Sequence, residues 1–344
     1  MPRPRALPRN FLLLLAGSLA ALGLAEIAVR LAGAAPEVAL VQSGRFRLSD
    51  DPEIGYEPLP NLAYSGEDLG AYDYRERSNS LGFRDVEHPL ARPPSTYRVL
   101  VLGDSIAAGL KIDRREQAFP ALLEGRLRAA GVPAEVLNFG VSGYDTRQEV
   151  AMLRARGLAF HPDLVVVAFC LNDLLSDNPI LDGLRAQARR RTRVGVTHLN
   201  PWLVKSALYR FLRYRALPAA AGLVHPGAGR GPRPGEDEEP RPEESLRRLQ
   251  EMGRRTGFGV LVAIFPRFDD IRHYAQEALH AEIRRAAEGA GLRALDLLPA
   301  FQACAAASAE PVSVDVLHPS IRGHACAADA LAAAIVPLAE TGRR

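Results

Sequence analysis

The sequence predicts an α/β fold, a five-stranded, mostly parallel sheet covered by helices on both faces. Apolar segments of strand length alternate with amphipathic segments of helix length from Tyr97 to the C-terminus. The strand segments are also apolar at consecutive positions rather than at every second one, the pattern of a strand buried on both faces.

Tyr97–Leu102 is the first strand and Phe119–Ala130 the amphipathic helix after it. Ala134–Phe139 is the second strand, with a helix over Thr146–Arg156. Asp163–Phe169 is the third strand and Phe258–Phe265 the fourth. A helix over Tyr274–Ala290, a fifth strand at Leu292–Leu297 and a helix over Ile321–Ala339 close the domain, which spans residues 97–340. Ligands of such sheets bind beyond the carboxyl ends of the strands, near the topological switch point. Ser105 follows the first strand, Gly140 the second and Asn172 the third, so all three fall on one edge.

Upstream, Arg3, Arg5 and Arg9 precede Phe11–Ala25, a run of 15 uncharged, mostly apolar residues. A basic flank followed by an apolar stretch is an export signal with its arginines on the cytoplasmic side. Residues 1–35 are predicted to be a retained single-pass signal anchor. Phe11 to Ala35 is long enough to cross about 30 Å of hydrocarbon if Glu26 and Arg30 lie near the far interface. The alternative is a cleaved signal, since Ala32-Gly33-Ala34 resembles a small-residue cleavage site. Either reading puts the remainder outside the cytoplasmic membrane, on the periplasmic side or secreted.

Residues 36–96 are rich in proline, glycine, tyrosine and charge and read as a loop-and-strand extension. It has short stretches at Arg45–Leu48 and Ala71–Arg75 and a turn at Asn79–Arg84. An inserted region, 176–257, interrupts the βα alternation. Within it Pro201–Leu217 reads as a basic amphipathic helix, with an ordinary surface helix, a lid and a membrane-lying segment all open. Pro226–Pro242 is dominated by proline, glycine, arginine and acidic residues and reads as a disordered loop.

Apolar residues make up 47% and charged residues 24% of the 344, which is ordinary globular composition. The net charge of +3 is the difference of 43 basic and 40 acidic residues. That bias is too weak for nucleic acid, and no basic stripe with interleaved aromatics is present. No cysteine or histidine cluster has zinc spacing, so no metal is expected. Cys170 lies in an apolar run and reads as a buried thiol. Cys304 and Cys326 flank residues 315–318 and could pair in an oxidising compartment, although spacing alone does not fix the geometry.

The chemistry gathers around Ser105, in Gly103-Asp104-Ser105 just past the first strand. Serine is a weak nucleophile at neutral pH and needs a base in hydrogen-bond contact and a third group to orient that base. His318 is the candidate base and Asp315, three residues earlier, its orienter. His324 has no acid three residues upstream and ranks below His318. Oxyanion donors are expected from the Ser105 N–H, the Gly140 N–H and the Asn172 side-chain amide, with Gly143 the alternative to Gly140. Asp104 and Asp173 read as supporting residues that fix their loops.

These blocks make residues 97–340 resemble an SGNH (GDSL-type) hydrolase. Gly103-Asp104-Ser105 matches the first block, Gly140 in Asn138-Phe139-Gly140 the second, Asn172-Asp173 the third, and Asp315 with His318 the fifth. The resemblance implies a flavodoxin-like three-layer α/β/α sandwich and acyl-ester chemistry with neither metal nor cofactor. One departure is Cys170, where the third block carries glycine, which puts the presentation of Asn172 in question. The anchor and extension lie outside the family core and are similar to those of membrane-tethered members that act on envelope lipids or polysaccharides. The expected function is a serine esterase or acylhydrolase cleaving an O-acyl ester, O-acetyl included, of an envelope lipid or glycan. An O-acyltransferase acting on an extracytoplasmic polysaccharide and a catalytically silent binding module are the alternatives.

Overall fold

A computed structural model of the protein describes residues 9–35, 37–40, 42–43, 45–63, 77–170, 173, 178–188, 193–196, 203–217 and 242–342. Asn172, the stretch Ala71–Arg75 and positions 226–241 of the expected disordered loop lie outside the described residues.

Along the chain the elements are α1 (Arg9–Leu31), β1 (Glu37–Leu40), β2 (Phe46–Leu48), β3 (Tyr56–Pro58), β4 (Tyr97–Gly103), α2 (Phe119–Ala129), β5 (Ala134–Gly140) and α3 (Thr146–Ala155). There follow β6 (Leu164–Phe169), α4 (Pro179–Ala188), β7 (Arg193–Val196), α5 (Ala207–Phe211), α6 (Pro242–Thr256) and β8 (Gly259–Ile264). The chain ends with α7 (Glu277–Gly289), β9 (Arg293–Asp296), α8 (Leu298–Ala307) and α9 (Ile321–Gly342). It divides into two compact units, one of residues 1–43 and 182–233 and the other of 44–181 and 234–344.

The larger unit is a parallel five-stranded sheet in the order β9-β8-β6-β4-β5. Numbered along the sequence this is 2-1-3-4-5, the flavodoxin-like order. Every residue of β5 and β6 is buried, as the unbroken apolar runs require. Alternation divides each strand between the two faces. Val99 and Val101 of β4 join Phe119, Leu123, Leu127, Phe301, Leu331 and Ile335 in one core, on the side of α2, α8 and α9. A Cβ at Gly157 would meet Leu153 and Leu100, on the face that carries α3. Helix α6 packs between α3 and α7.

The register sets the strand ends side by side. Gly103 pairs with Gly140 on one flank and Ala168 on the other, and Phe169 pairs with Ile264. Helix α3 starts where it does because Asp145 and Gln148 form a capping box, each side chain taking the other's backbone N–H.

Three helices, α4, α6 and α8, were not expected from the sequence. Helix α6 begins at Pro242, within the segment read as a loop, and buries only Leu246 and Leu249 among its large apolar side chains. So narrow a stripe is hidden by the flanking arginines and glutamates. Helix α8 follows the fifth strand directly and is apolar apart from Gln302, so it shows no amphipathic period. The helix expected at Tyr274 starts at Glu277. The extension from residue 45 onward belongs to the larger unit, where β2 and β3 form an antiparallel hairpin.

The smaller unit holds α1, a parallel pair of β1 and β7, and α5 continued by a π turn over Leu212–Ala216. Its α1 is apolar and, over Leu13–Leu31, wholly unburied.

Candidate active site

Ser105 stands in the turn that leaves β4, where residues 105–110 fold back on themselves. Ala108 N–H donates to Asp104 O at 3.0 Å and Leu110 N–H to Ser105 O at 2.8 Å. Asp104, 1% exposed, accepts the Ile106 N–H on Oδ1 at 2.8 Å and so fixes the residue after the serine. The buried Arg84 guanidinium donates to three carbonyls of the same loop, those of Ala108 (3.3 Å), Gly109 (2.5 Å) and Ile112 (2.6 Å). No local spacing announces this, because Arg84 belongs to the extension.

Ser105 Oγ lies 2.9 Å from His318 Nε2, across 213 positions of sequence. Asp315 Oδ1 accepts the backbone N–H groups of Leu317 (2.8 Å) and His318 (2.7 Å), and its carboxylate lies 2.9 Å from His318 Nδ1. A carboxylate can only accept, so Nδ1 carries the imidazole proton and Nε2 is left to accept from the serine hydroxyl. Lys111 Nζ donates to Asp315 Oδ2 as well. Partial burial raises the Asp315 carboxyl, but Lys111 and the donors from His318 and Leu317 outweigh it and hold the group well below the usual carboxylate range. The acid therefore stays ionised wherever the base is active.

Of the two candidate glycines, Gly140 is enclosed. Its N–H donates to Asn138 Oδ1 at 2.9 Å, and a Cβ there would come 2.7 Å from Ala107 C. This corrects the expectation for Gly140: its donor is committed, and its lack of a side chain serves the close approach of β5 to the nucleophile turn. Gly143 lies three residues on, exposed, at φ +79°. Among the described residues none accepts the Gly143 N–H or the Ser105 N–H. The loop carrying Gly143 rests on the extension, since Tyr56 OH donates to Ser142 O at 2.7 Å and Tyr144 OH donates to Tyr56 O.

Asn172 lies outside the described residues. Asp173 beside it is 2% exposed and accepts the Cys170 N–H at 3.0 Å. The Cys170 side chain belongs to the core cluster with Phe265 and Phe301, so the departure at this position is absorbed by packing. Burial, and then the charge of Asp104, push the Asp173 carboxyl well above its ordinary range. Burial and Asp173 do the same to Glu149, which among the described residues has no hydrogen-bond partner for either oxygen. Asp104, Asp173 and Glu149 thus form a group of buried acids beside the turn.

His324 is wholly buried, stacked on Phe119 and accepting the Phe119 N–H on Nδ1 at 3.1 Å. Burial drives it down to about 3, so it is a neutral core residue. Cys304 and Cys326 form a disulfide that closes the segment carrying Asp315 and His318, while the Cys170 thiol is buried and takes part in no disulfide.

The family model of the GDSL-like lipase/acylhydrolases matches residues 101–326. Among solved structures the chain is similar to the acetyl xylan esterase AlAXEase, at 17% identity over 69% of this chain and 99% of that one, with a TM-score of 0.40. It is also similar to a catalytic mutant of an acetylxylan esterase from Geobacillus stearothermophilus, at 19% identity, 68% and 92% coverage and a TM-score of 0.41. A third is TesA, at 19% identity, 70% and 99% coverage and a TM-score of 0.40. No curated protein matches.

Proposed function

The chain belongs to the GDSL-like lipase/acylhydrolase family, and from that premise we propose that it opens an O-acyl ester through an acyl intermediate on Ser105. That it is a serine ester hydrolase follows from the family. The residues that do the work, and the ester they meet, are the proposal.

The observation that carries it is the unbroken chain of contacts from Ser105 Oγ to His318 Nε2 and from His318 Nδ1 to Asp315. His318 takes the hydroxyl proton as Oγ attacks the acyl carbon, and Asp315 steadies the imidazolium that forms. The tetrahedral oxyanion is held by the N–H groups of Ser105 and Gly143 and by the Asn172 amide, each contributing about 3 kcal/mol to lowering the barrier. His318 then protonates the departing alcohol. Water, deprotonated by the same imidazole, attacks the acyl-serine and releases the acid.

The hydrolase is held at the outer face of the cytoplasmic membrane by α1. Supporting this are the apolar, unburied length of α1 and the Cys304–Cys326 disulfide, which suits an oxidising compartment. The ester is carried by an envelope lipid or an acylated glycan, O-acetyl groups among them.

Turnover of p-nitrophenyl acetate, a long-chain p-nitrophenyl ester and an acetylated polysaccharide tests the reading. The wild type is expected to release acid from at least one, and Ser105→Ala from none. Undiminished release by Ser105→Ala overturns it.

A further inference from the structure

The smaller unit contains a carboxylate whose surroundings make no sense for a helix that does nothing but cross a membrane. Glu26 lies near the end of α1, 17 residues or about 26 Å beyond Arg9. Its Oε1 accepts from Arg30 Nε (2.6 Å) and the Ala207 N–H (2.8 Å). Its Oε2 accepts from Ser206 Oγ (2.8 Å) and the Leu208 N–H (2.7 Å). Arg30 Nη2 donates in turn to Lys205 O at 2.8 Å. Four donors thus satisfy the acid, three of them from the start of α5. An apolar slab of about 30 Å entered at Arg9 ends at this knot, so the knot sits in the interface.

The segment bound there has the composition an interface favours. Leu203, Leu212 and Leu217 are exposed, at 47%, 43% and 60%. Lys205, Arg213 and Arg215 are exposed beside them, and no acidic residue occurs between 203 and 217. Exposed leucines among cations suit the boundary of acyl chains and anionic headgroups. In aqueous solvent the same leucines would stay hydrated.

The geometry points to Leu203–Leu217 as a segment that lies on the outer surface of an anionic bilayer, pinned to the anchor by Glu26. This rests on the reading of α1 as a membrane span. The chain thereby meets the bilayer twice, once through it and once along it.

The single tryptophan, Trp202, adjoins Leu203 and reports on the segment. The full-length protein is reconstituted in nanodiscs of phosphatidylcholine with phosphatidylglycerol, with and without bromine near the headgroup end of the acyl chains. A Trp202→Phe/Leu212→Trp variant moves the reporter to the middle of the segment. Labelling of Leu19→Cys with an impermeant maleimide reports separately on α1. The expected result is quenching by brominated lipid at both tryptophan positions, little quenching by aqueous acrylamide, and a protected Cys at position 19. Glu26→Ala is expected to reduce the lipid quenching by about twofold or more with position 19 still protected. Replacing phosphatidylglycerol with neutral lipid should weaken the quenching in the same direction. Acrylamide quenching without lipid quenching, at both reporter positions and with position 19 protected, overturns the surface segment alone. Free labelling at position 19 overturns it together with the anchor.

Discussion

Lys111 Nζ donates to Asp315 Oδ2, the same oxygen that lies 2.9 Å from His318 Nδ1. Lys111 belongs to the nucleophile turn and adopts φ +68°, so this contact joins the loop of Ser105 to the loop of its base. It also sets the charge beside the imidazole. In Lys111→Met the Asp315 carboxylate keeps its contact with His318 but loses the bond that ties the two loops together, so kcat should fall, though less than in Asp315→Asn. The Asp315 carboxyl is depressed in the fold, so its contribution to stability is full above the unfolded value near 4 and is lost as pH falls through the folded one. Lys111→Met should have less of that contribution to lose, with its loss ending at a higher pH than in the wild type, as read by thermal melts from pH 5 downward. An unaltered kcat would contradict the role given to Lys111.

Arg84 holds three carbonyls of the nucleophile turn from the extension. A lysine keeps the charge but cannot span the fork. Arg84→Lys should lower kcat by about 10²-fold, the cost of a misplacement of about 1 Å. KM should change far less, since the guanidinium is buried beneath the turn. Steady-state kinetics decide it, and an unaltered kcat would make the extension a bystander.

His324 is neutral and buried, with a value near 3 against 6.5 in the unfolded chain. The unfolded state therefore binds the extra proton between those limits. Its share of stability is full above about 6.5 and falls by about 1.4 kcal/mol for each pH unit below that. His324→Leu should flatten the stability curve between pH 6 and 4 in urea titrations, whatever it costs at neutral pH. A slope equal to that of the wild type would contradict the assignment.

The sheet and half of the site were legible because each depends on local pattern. Four strands buried on both faces print as apolar runs, and Ser105 and Asp173 follow strand ends that the runs locate, while Asp315 and His318 share one short loop before α9. What stayed hidden is what the sheet brings together from afar. Nothing in the spacing of Lys111, Arg84 or Tyr56 says that they meet Asp315, the nucleophile turn and the Gly143 loop. The choice between Gly140 and Gly143 was equally closed to sequence, since it turns on which N–H the Asn138 side chain takes. The pairing of Cys304 with Cys326, open from spacing, is settled by the packing of α8 against α9.

That disulfide spans 22 positions of sequence around the acid and base. By loop-closure entropy it should contribute about 3 kcal/mol. Cys304→Ala/Cys326→Ala should lose roughly that much in chemical denaturation, and the wild type should match it after reduction with a thiol. Equal stability of the reduced and oxidised protein would show that the bond constrains nothing.

The most direct test of the Ser105–His318–Asp315 assignment is labelling by a fluorophosphonate, with the modified residue located by mass spectrometry. A stable adduct on Ser105 is expected in the wild type and in His324→Leu, and it should be lost in His318→Ala. An adduct on another residue, or labelling of His318→Ala at the wild-type rate, would contradict it.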